Sequence, residues 1–111
     1  MSAKRPSLLA QNVRRAFEAG VRTAGGSDAG TPFNHHENYA DEVVLMTMLL
    51  GISPQRALHA ATAVSAELTG LHRGILQPGE PADFLLLDSD IDRDVNALTR
   101  PTAIFKAGTA V

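Results

Sequence analysis

The first half of the chain repeats apolar positions at helical spacing. One face of residues 7–19 carries the apolar side chains of Leu9, Val13, Ala16 and Phe17. This spacing predicts an amphipathic helix, with Ser7 as its cap and Gly20 as its end. Residues 21–24 follow as a short strand candidate that runs into glycines. Helix, short strand and glycine-rich turn is the order of an α/β unit.

Two more helices follow the same pattern. Apolar residues line one side of residues 39–50, and Gly51 ends that helix. Ser53 and Pro54 then form a strong start signal, a capping side chain followed by proline in the first helical turn. Helical spacing continues to Gly70, and its many alanines predict close packing against another helix or a sheet.

The second half reads as short β-strands. Pro78-Gly79 predicts a type II turn, because proline supplies a φ near −65° and glycine accepts a positive φ. Strand candidates lie at residues 84–87, 103–106 and 109–111. A single parallel strand in the first half and an open edge in the second leave backbone groups without partners. We therefore expect the chain to pair with another chain or to be the C-terminal piece of a longer protein.

Composition excludes several classes of function. The 111 residues fit one domain, and a net charge of −2 gives no electrostatic case for binding nucleic acid or an anionic membrane. The chain has no cysteine, which excludes disulfides and thiolate metal sites. No apolar run is long enough to span a bilayer or form a signal peptide. A soluble cytoplasmic protein is the expectation.

Familiar site motifs fail on their residues. Residues 25–30 lack the spacing and the lysine of a phosphate loop. His36-Glu37 begins like a zinc-protease helix, but Ala40 stands where the second histidine is needed. The alternating aspartates of residues 88–94 lack the glycine and glutamate of a calcium loop, so a solvated loop is favoured.

Asp28, in Gly-Ser-Asp-Ala-Gly, allows two interpretations. A carboxylate at the C-terminal end of a parallel strand can be catalytic, since the strand holds it rigidly while it stays exposed. Such glycine-rich strings are nevertheless more often tight turns, and local residues alone favour the turn. His35 and His36, in the next predicted loop, can contact a metal or substrate, although solvated loop histidines are commoner.

The order of motifs decides between these interpretations. The segments GVRTAGGSDAG, HHEN, GISPQRALHAATAVSAELTGL, GILQPGEPADFLLLD and AIFKAGTAV resemble, in this order, the C-terminal end of the metal-dependent amidohydrolase superfamily. The similarity covers about residues 12–111. It is greatest to the imidazolonepropionase-like and Xaa-Pro dipeptidase-like branch.

The resemblance implies an α/β fold: the C-terminal part of a (β/α)₈ TIM-type barrel plus part of a small β-sandwich. Residues 1–71 would supply the last barrel strand, residues 21–27, with its flanking helices, and residues 72–111 the sandwich strands. It implies that Asp28 is a metal ligand and a catalytic proton shuttle. The cofactor would be a divalent metal, with zinc expected. A small-molecule or dipeptide-like substrate would contact His35 and His36.

The chain also departs from the family. The paired histidines of the first strand, the bridging lysine and the two later histidines have no counterparts here. One carboxylate cannot hold a catalytic zinc, which needs about three protein ligands. We expect the chain alone to be inactive, with the remaining ligands supplied by the rest of the barrel or another chain. The alternative is a non-catalytic, partner-binding module, such as a homo-oligomer.

Overall fold

A computed structural model describes residues 8–26, 39–71 and 73–111 of the chain. Helix α1 spans Leu8–Glu18 and α2 spans Tyr39–Leu50, matching the predicted positions. A continuous helical run then consists of α3 at Pro54–His59, a π-helical turn at Ala60–Val64 and α4 at Ser65–Leu68. We call this run the 54–68 helix.

The start of the 54–68 helix confirms its sequence signal. The Ser53 side chain accepts a hydrogen bond from the backbone N–H of Arg56, and Pro54 lies in the first turn. Proline is tolerated there because the first amides of a helix have no intrahelical partner. The π-helical turn in the middle was not expected from the sequence.

Helix α2 is the centre of the core. Its apolar face packs against the 54–68 helix and against a 3₁₀ helix at Val95–Thr99. The buried side chains that form this cluster are Val43, Met46, Leu50, Ala57, Ala60, Ala61, Ile91 and Leu98. Helix α1 packs on α2, and the Arg56 guanidinium lies 4.6 Å from the centre of the Phe17 ring. The alanines of the 54–68 helix allow the close approach that the sequence predicted.

Three short strands form an antiparallel sheet in the order β1 (Phe84–Leu86), β2 (Ala103–Lys106) and β3 (Thr109–Ala110). Phe84 pairs with Phe105, and their rings stack at 4.6 Å between centroids. Leu85 pairs with Ile104 on the opposite face, where each is 43% exposed. This face therefore carries an exposed apolar pair, next to Lys106 on the same side of β2.

Turns order the second half of the chain. The Glu80 N–H donates to the Gln77 carbonyl and Gly79 has a φ of 92°, which confirms the predicted type II turn. Ala107 and Gly108, with φ of 52° and 80°, join β2 to β3. Asp83 supports this hairpin, because its Oδ1 accepts the Ala107 N–H at 2.8 Å.

The acidic loop also has a structural role. Asp94 caps the 3₁₀ helix by accepting the Asn96 N–H and forms an ion pair with Arg100. That contact lowers the pKa of the Asp94 carboxyl, mainly through the hydrogen bond from Arg100. Asp90 accepts the Asp92 N–H. Asp90 and Asp94 thus hold the loop through contacts within it.

One predicted element differs. Residues 21–24, expected as a strand, form no ladder with another described residue, and residues 21–26 have no regular secondary structure. The physical reason is that a strand needs a neighbour for its backbone groups. In the part of the chain that the structure describes, the three strands pair only with one another.

Candidate functional site

The candidate site is approached by residues 21–26, which connect α1 to the Asp28 region. Asp28, His35 and His36 themselves lie outside the described residues. The structure therefore describes the segment that leads to Asp28, residues 21–26, and the contacts of that segment with the 54–68 helix.

The segment is held at two points by the end of the 54–68 helix. Near its start, both terminal nitrogens of Arg22 donate to the Glu67 carboxylate, at 2.7 and 2.6 Å. This exposed bidentate pair lowers the pKa of Glu67, first through the hydrogen bond and then through the charge of Arg22. It also raises the pKa of Arg22.

The second attachment is at Gly25. Its N–H donates to the Ser65 hydroxyl at 3.0 Å, and the contact is partly buried. Next to it, the Tyr39 hydroxyl donates to the Ala61 carbonyl at 2.9 Å. A Cβ on Gly25 would lie 2.5 Å from the Tyr39 oxygen and 3.2 Å from the Cα and Cβ atoms of Ala61. Only glycine fits this contact without displacing a neighbour.

Between these two points the backbone of residues 22–24 forms no hydrogen bond with the backbone of another described residue. Along one side of the segment runs a cavity of about 260 Å³, whose lining is mostly apolar and comes from α1, α2 and residues 23–26. Within the part of the chain that the structure describes, residues 22–24 thus have backbone N–H and C=O groups that a neighbouring strand could use.

The described residues do not form a metal site. Nowhere in residues 8–26, 39–71 and 73–111 do three histidine, aspartate or glutamate side chains converge on a common point.

No helix in the part of the chain that the structure describes is long and apolar enough to cross a membrane.

Sequence reasoning missed Ser65 and Tyr39 as supports of the site. The close packing of the alanines was expected, but nothing in the spacing indicates which hydroxyl meets Gly25. That contact depends on the π-helical turn, and such turns have no simple sequence signature.

Comparison with known proteins identifies the family. The model of the amidohydrolase family matches residues 2–108. The imidazolonepropionase of Deinococcus deserti is 36% identical over 109 residues, covering 94% of this chain and 27% of the relative. A crystal structure of a Bifidobacterium longum protein described as a prolidase superposes with a TM-score of 0.85 at 36% identity, covering 93% of this chain and 26% of that one.

A second solved structure, a Xaa-Pro dipeptidase with methionine bound in its active site, gives a TM-score of 0.82 at 27% identity. It matches 93% of this chain and 25% of its own. The chain thus spans about a quarter of the length of these relatives. These relatives include an imidazolonepropionase and a Xaa-Pro dipeptidase, the branch that the sequence motifs resemble. The chain belongs to the amidohydrolase family.

Proposed function

We propose that the chain forms part of a metal-dependent hydrolase that cleaves an amide-type C–N bond, with Asp28 as its proton carrier. The observation that supports this most is the match of residues 2–108 to the amidohydrolase family. Within the structure, the segment before Asp28 is attached at two points. Arg22 and Gly25 are both tied to the end of the 54–68 helix. Catalytic groups need such rigid support, because small misplacements cost large factors in rate.

The reaction assigns Asp28 two proton transfers. When bound, a divalent metal would lower the pKa of water and polarise the scissile carbonyl. The Asp28 carboxylate would accept a proton from water as the water oxygen bonds to the carbonyl carbon. It would then give this proton to the leaving nitrogen as the C–N bond breaks. The carboxylate is regenerated, so each cycle consumes one water and no other reactant.

The described residues do not suffice for the metal. A catalytic zinc takes about three protein ligands, and the described residues contain no group of three. Asp28 would be one ligand, and the others would come from outside this chain. Zinc is the metal we propose, and by the same reasoning the chain alone would be inactive.

We extend the proposal to the fold. Residues 21–27 would be the last strand of a (β/α)₈ barrel, and the strands of residues 72–111 part of a β-sandwich. Support comes from the backbone of residues 22–24, which forms no ladder within the described residues, and from the exposed apolar pair of Leu85 and Ile104 on the sheet. Both are surfaces that further strands would cover.

The substrate would be a small molecule or a dipeptide-like compound. This class follows from the relatives, which include an imidazolonepropionase and a Xaa-Pro dipeptidase. His35 and His36 would contact the substrate from the loop after Asp28. Their replacement by alanine would then raise KM more than it lowers kcat.

Replacing Asp28 by asparagine in the complete hydrolase tests the assignment. Loss of a general base lowers kcat by about 10²- to 10⁴-fold, and we expect this with hydrolysis assayed at saturating metal. Asp92→Asn is the matched control, because Asp92 is exposed, and it should leave kcat unchanged. Elemental analysis of the bound metal separates loss of the ligand from loss of the base. Near-normal hydrolysis by Asp28→Asn would refute the assignment.

A second candidate is a non-catalytic chain that binds a partner or a second copy of itself. The exposed Leu85 and Ile104 face favours it, since apolar patches often mark interfaces. Light scattering on the 111-residue chain distinguishes the two. A stable oligomer supports the second candidate, whereas a well-folded monomer counts against it; hydrolysis is uninformative here because both candidates expect the 111-residue chain to be inactive.

A further inference from the structure

The π-helical turn redirects two backbone carbonyls of the 54–68 helix. Within this turn the Ser65 N–H donates to the Ala60 carbonyl, five residues back, instead of following the α-helical spacing of four. The Ser65 hydroxyl donates to the same carbonyl at 2.8 Å. The Ala61 carbonyl accepts the Tyr39 hydroxyl at 2.9 Å.

The Ser65 hydroxyl connects this turn to the segment before Asp28. A hydroxyl has one proton, and the Ala60 carbonyl at 2.8 Å is a closer acceptor than the Gly25 carbonyl at 3.5 Å. The Ser65 oxygen is then free to accept the Gly25 N–H at 3.0 Å. The hydroxyl therefore links the helix to the segment, because it donates to the Ala60 carbonyl and accepts from the Gly25 N–H.

The Ser65 contact lies close in sequence to the proposed catalytic residue. Gly25 precedes Asp28 by three residues, a span of at most roughly 11 Å for an extended backbone. Fixing the Gly25 amide thus fixes the backbone three residues before Asp28. π-Helical turns within α-helices are found frequently at functional sites, where they redirect backbone and side-chain groups.

The geometry points to Ser65 as a positioning residue, supported by Tyr39, that fixes the Gly25 backbone and through it the Asp28 carboxylate. The hydrogen bond between Ser65 and Gly25 is observed independently of any catalytic role. Its effect on catalysis rests on the proposed role of Asp28. The competing explanation is that Ser65 only satisfies partly buried backbone groups and so affects stability alone.

Hydrogen exchange tests the contact without any assay of activity. In the 111-residue chain, we expect the Gly25 amide to exchange more slowly than the Ala24 amide, measured by NMR. Ser65→Ala should accelerate exchange at Gly25 about tenfold, because the amide loses its acceptor. Thr62→Val is the matched control: it removes a hydroxyl from the same helix, and among the described residues that hydroxyl bonds the Leu58 carbonyl and not Gly25. Equal exchange at Gly25 in both variants would overturn the contact.

Steady-state kinetics of the complete hydrolase test the consequence. At a temperature well below unfolding, Ser65→Ala should lower kcat at least about tenfold and change KM less than twofold. Thr62→Val should leave both unchanged. A stability-only role predicts normal kcat in Ser65→Ala and would overturn the positioning role.

Measuring Asp28→Asn alongside separates the two proposals. If Asp28→Asn is inactive while Ser65→Ala keeps full kcat, the positioning role fails and the proposed function stands. If Asp28→Asn is active, the proposed function fails, and the positioning role fails with it. The exchange experiment then still decides whether Ser65 holds Gly25.

Discussion

The contact at Gly25 can be tested by adding a single methyl group. Gly25→Ala places a Cβ 2.5 Å from the Tyr39 hydroxyl oxygen and 3.2 Å from the Cα and Cβ atoms of Ala61. Favourable carbon contacts lie at about 3.5–4.0 Å, so all three distances are too short. The φ of Gly25 is outside the positive range, so the backbone conformation alone would accept alanine.

The net effect follows from two opposing terms. Without crowding, glycine to alanine stabilises by about 0.4–1 kcal/mol, because the unfolded chain loses freedom. Crowding of a packed site costs about 1–3 kcal/mol. We expect Gly25→Ala to lower the free energy of unfolding by about 1–2 kcal/mol. In a Tyr39→Phe background the shortest contact is absent, and the same change should cost about 1 kcal/mol less.

Urea unfolding of the 111-residue chain, followed by circular dichroism, measures all four members of this cycle. Gly26→Ala is the control, because a Cβ on Gly26 meets no atom within 4 Å. That variant should be as stable as the parent or slightly more so. The reasoning is refuted if Gly25→Ala matches Gly26→Ala, or if its cost is the same with and without the tyrosine hydroxyl.

Two further predictions concern the hairpin and the ion pair. Ala107→Asn should raise the free energy of unfolding by about 0.5–1 kcal/mol, because asparagine tolerates the φ of 52° better than alanine; an unchanged urea midpoint would contradict this. The Arg22–Glu67 pair lowers the pKa of Glu67 below its ordinary value of 4.5, so its stabilisation is present above that pH and is lost as pH falls through the lowered pKa. The stability difference between the parent and Glu67→Gln should therefore be constant near neutral pH and shrink in acid, and a difference that grows in acid would contradict the assignment.

Local signals predicted much of the fold. Helix α2 has the expected bounds. Ser53 caps its helix as predicted, and Gly79 has the positive φ of the predicted turn. Each of these features depends on residues a few positions apart. Periodicity, capping and turn chemistry are sufficient for such elements.

Features that depend on distant contacts were not predicted. Residues 21–24 are strand-like in sequence but have no ladder, because strand formation depends on a neighbour. The sequence also did not predict the 3₁₀ helix after Asp94 or the π-helical turn at Ala60–Val64. For the site, the order of motifs along the chain led to the prediction of Asp28, which stays a prediction, whereas the Ser65 contact with Gly25 joins residues 40 positions apart.

The π-helical turn also affects where this helix can change in length. Each residue of an α-helix turns the chain by about 100°, so removing one residue from the α-helical part Pro54–His59 would rotate the residues before the deletion relative to those after it by that angle. Removing one residue from Ala60–Val64 would instead restore α-helical spacing, because the Ser65 N–H would meet the Ala60 carbonyl four residues back and Ser65 would keep its orientation. The π-helical turn is therefore the place in this helix where a change of length disturbs the Ser65 contact least.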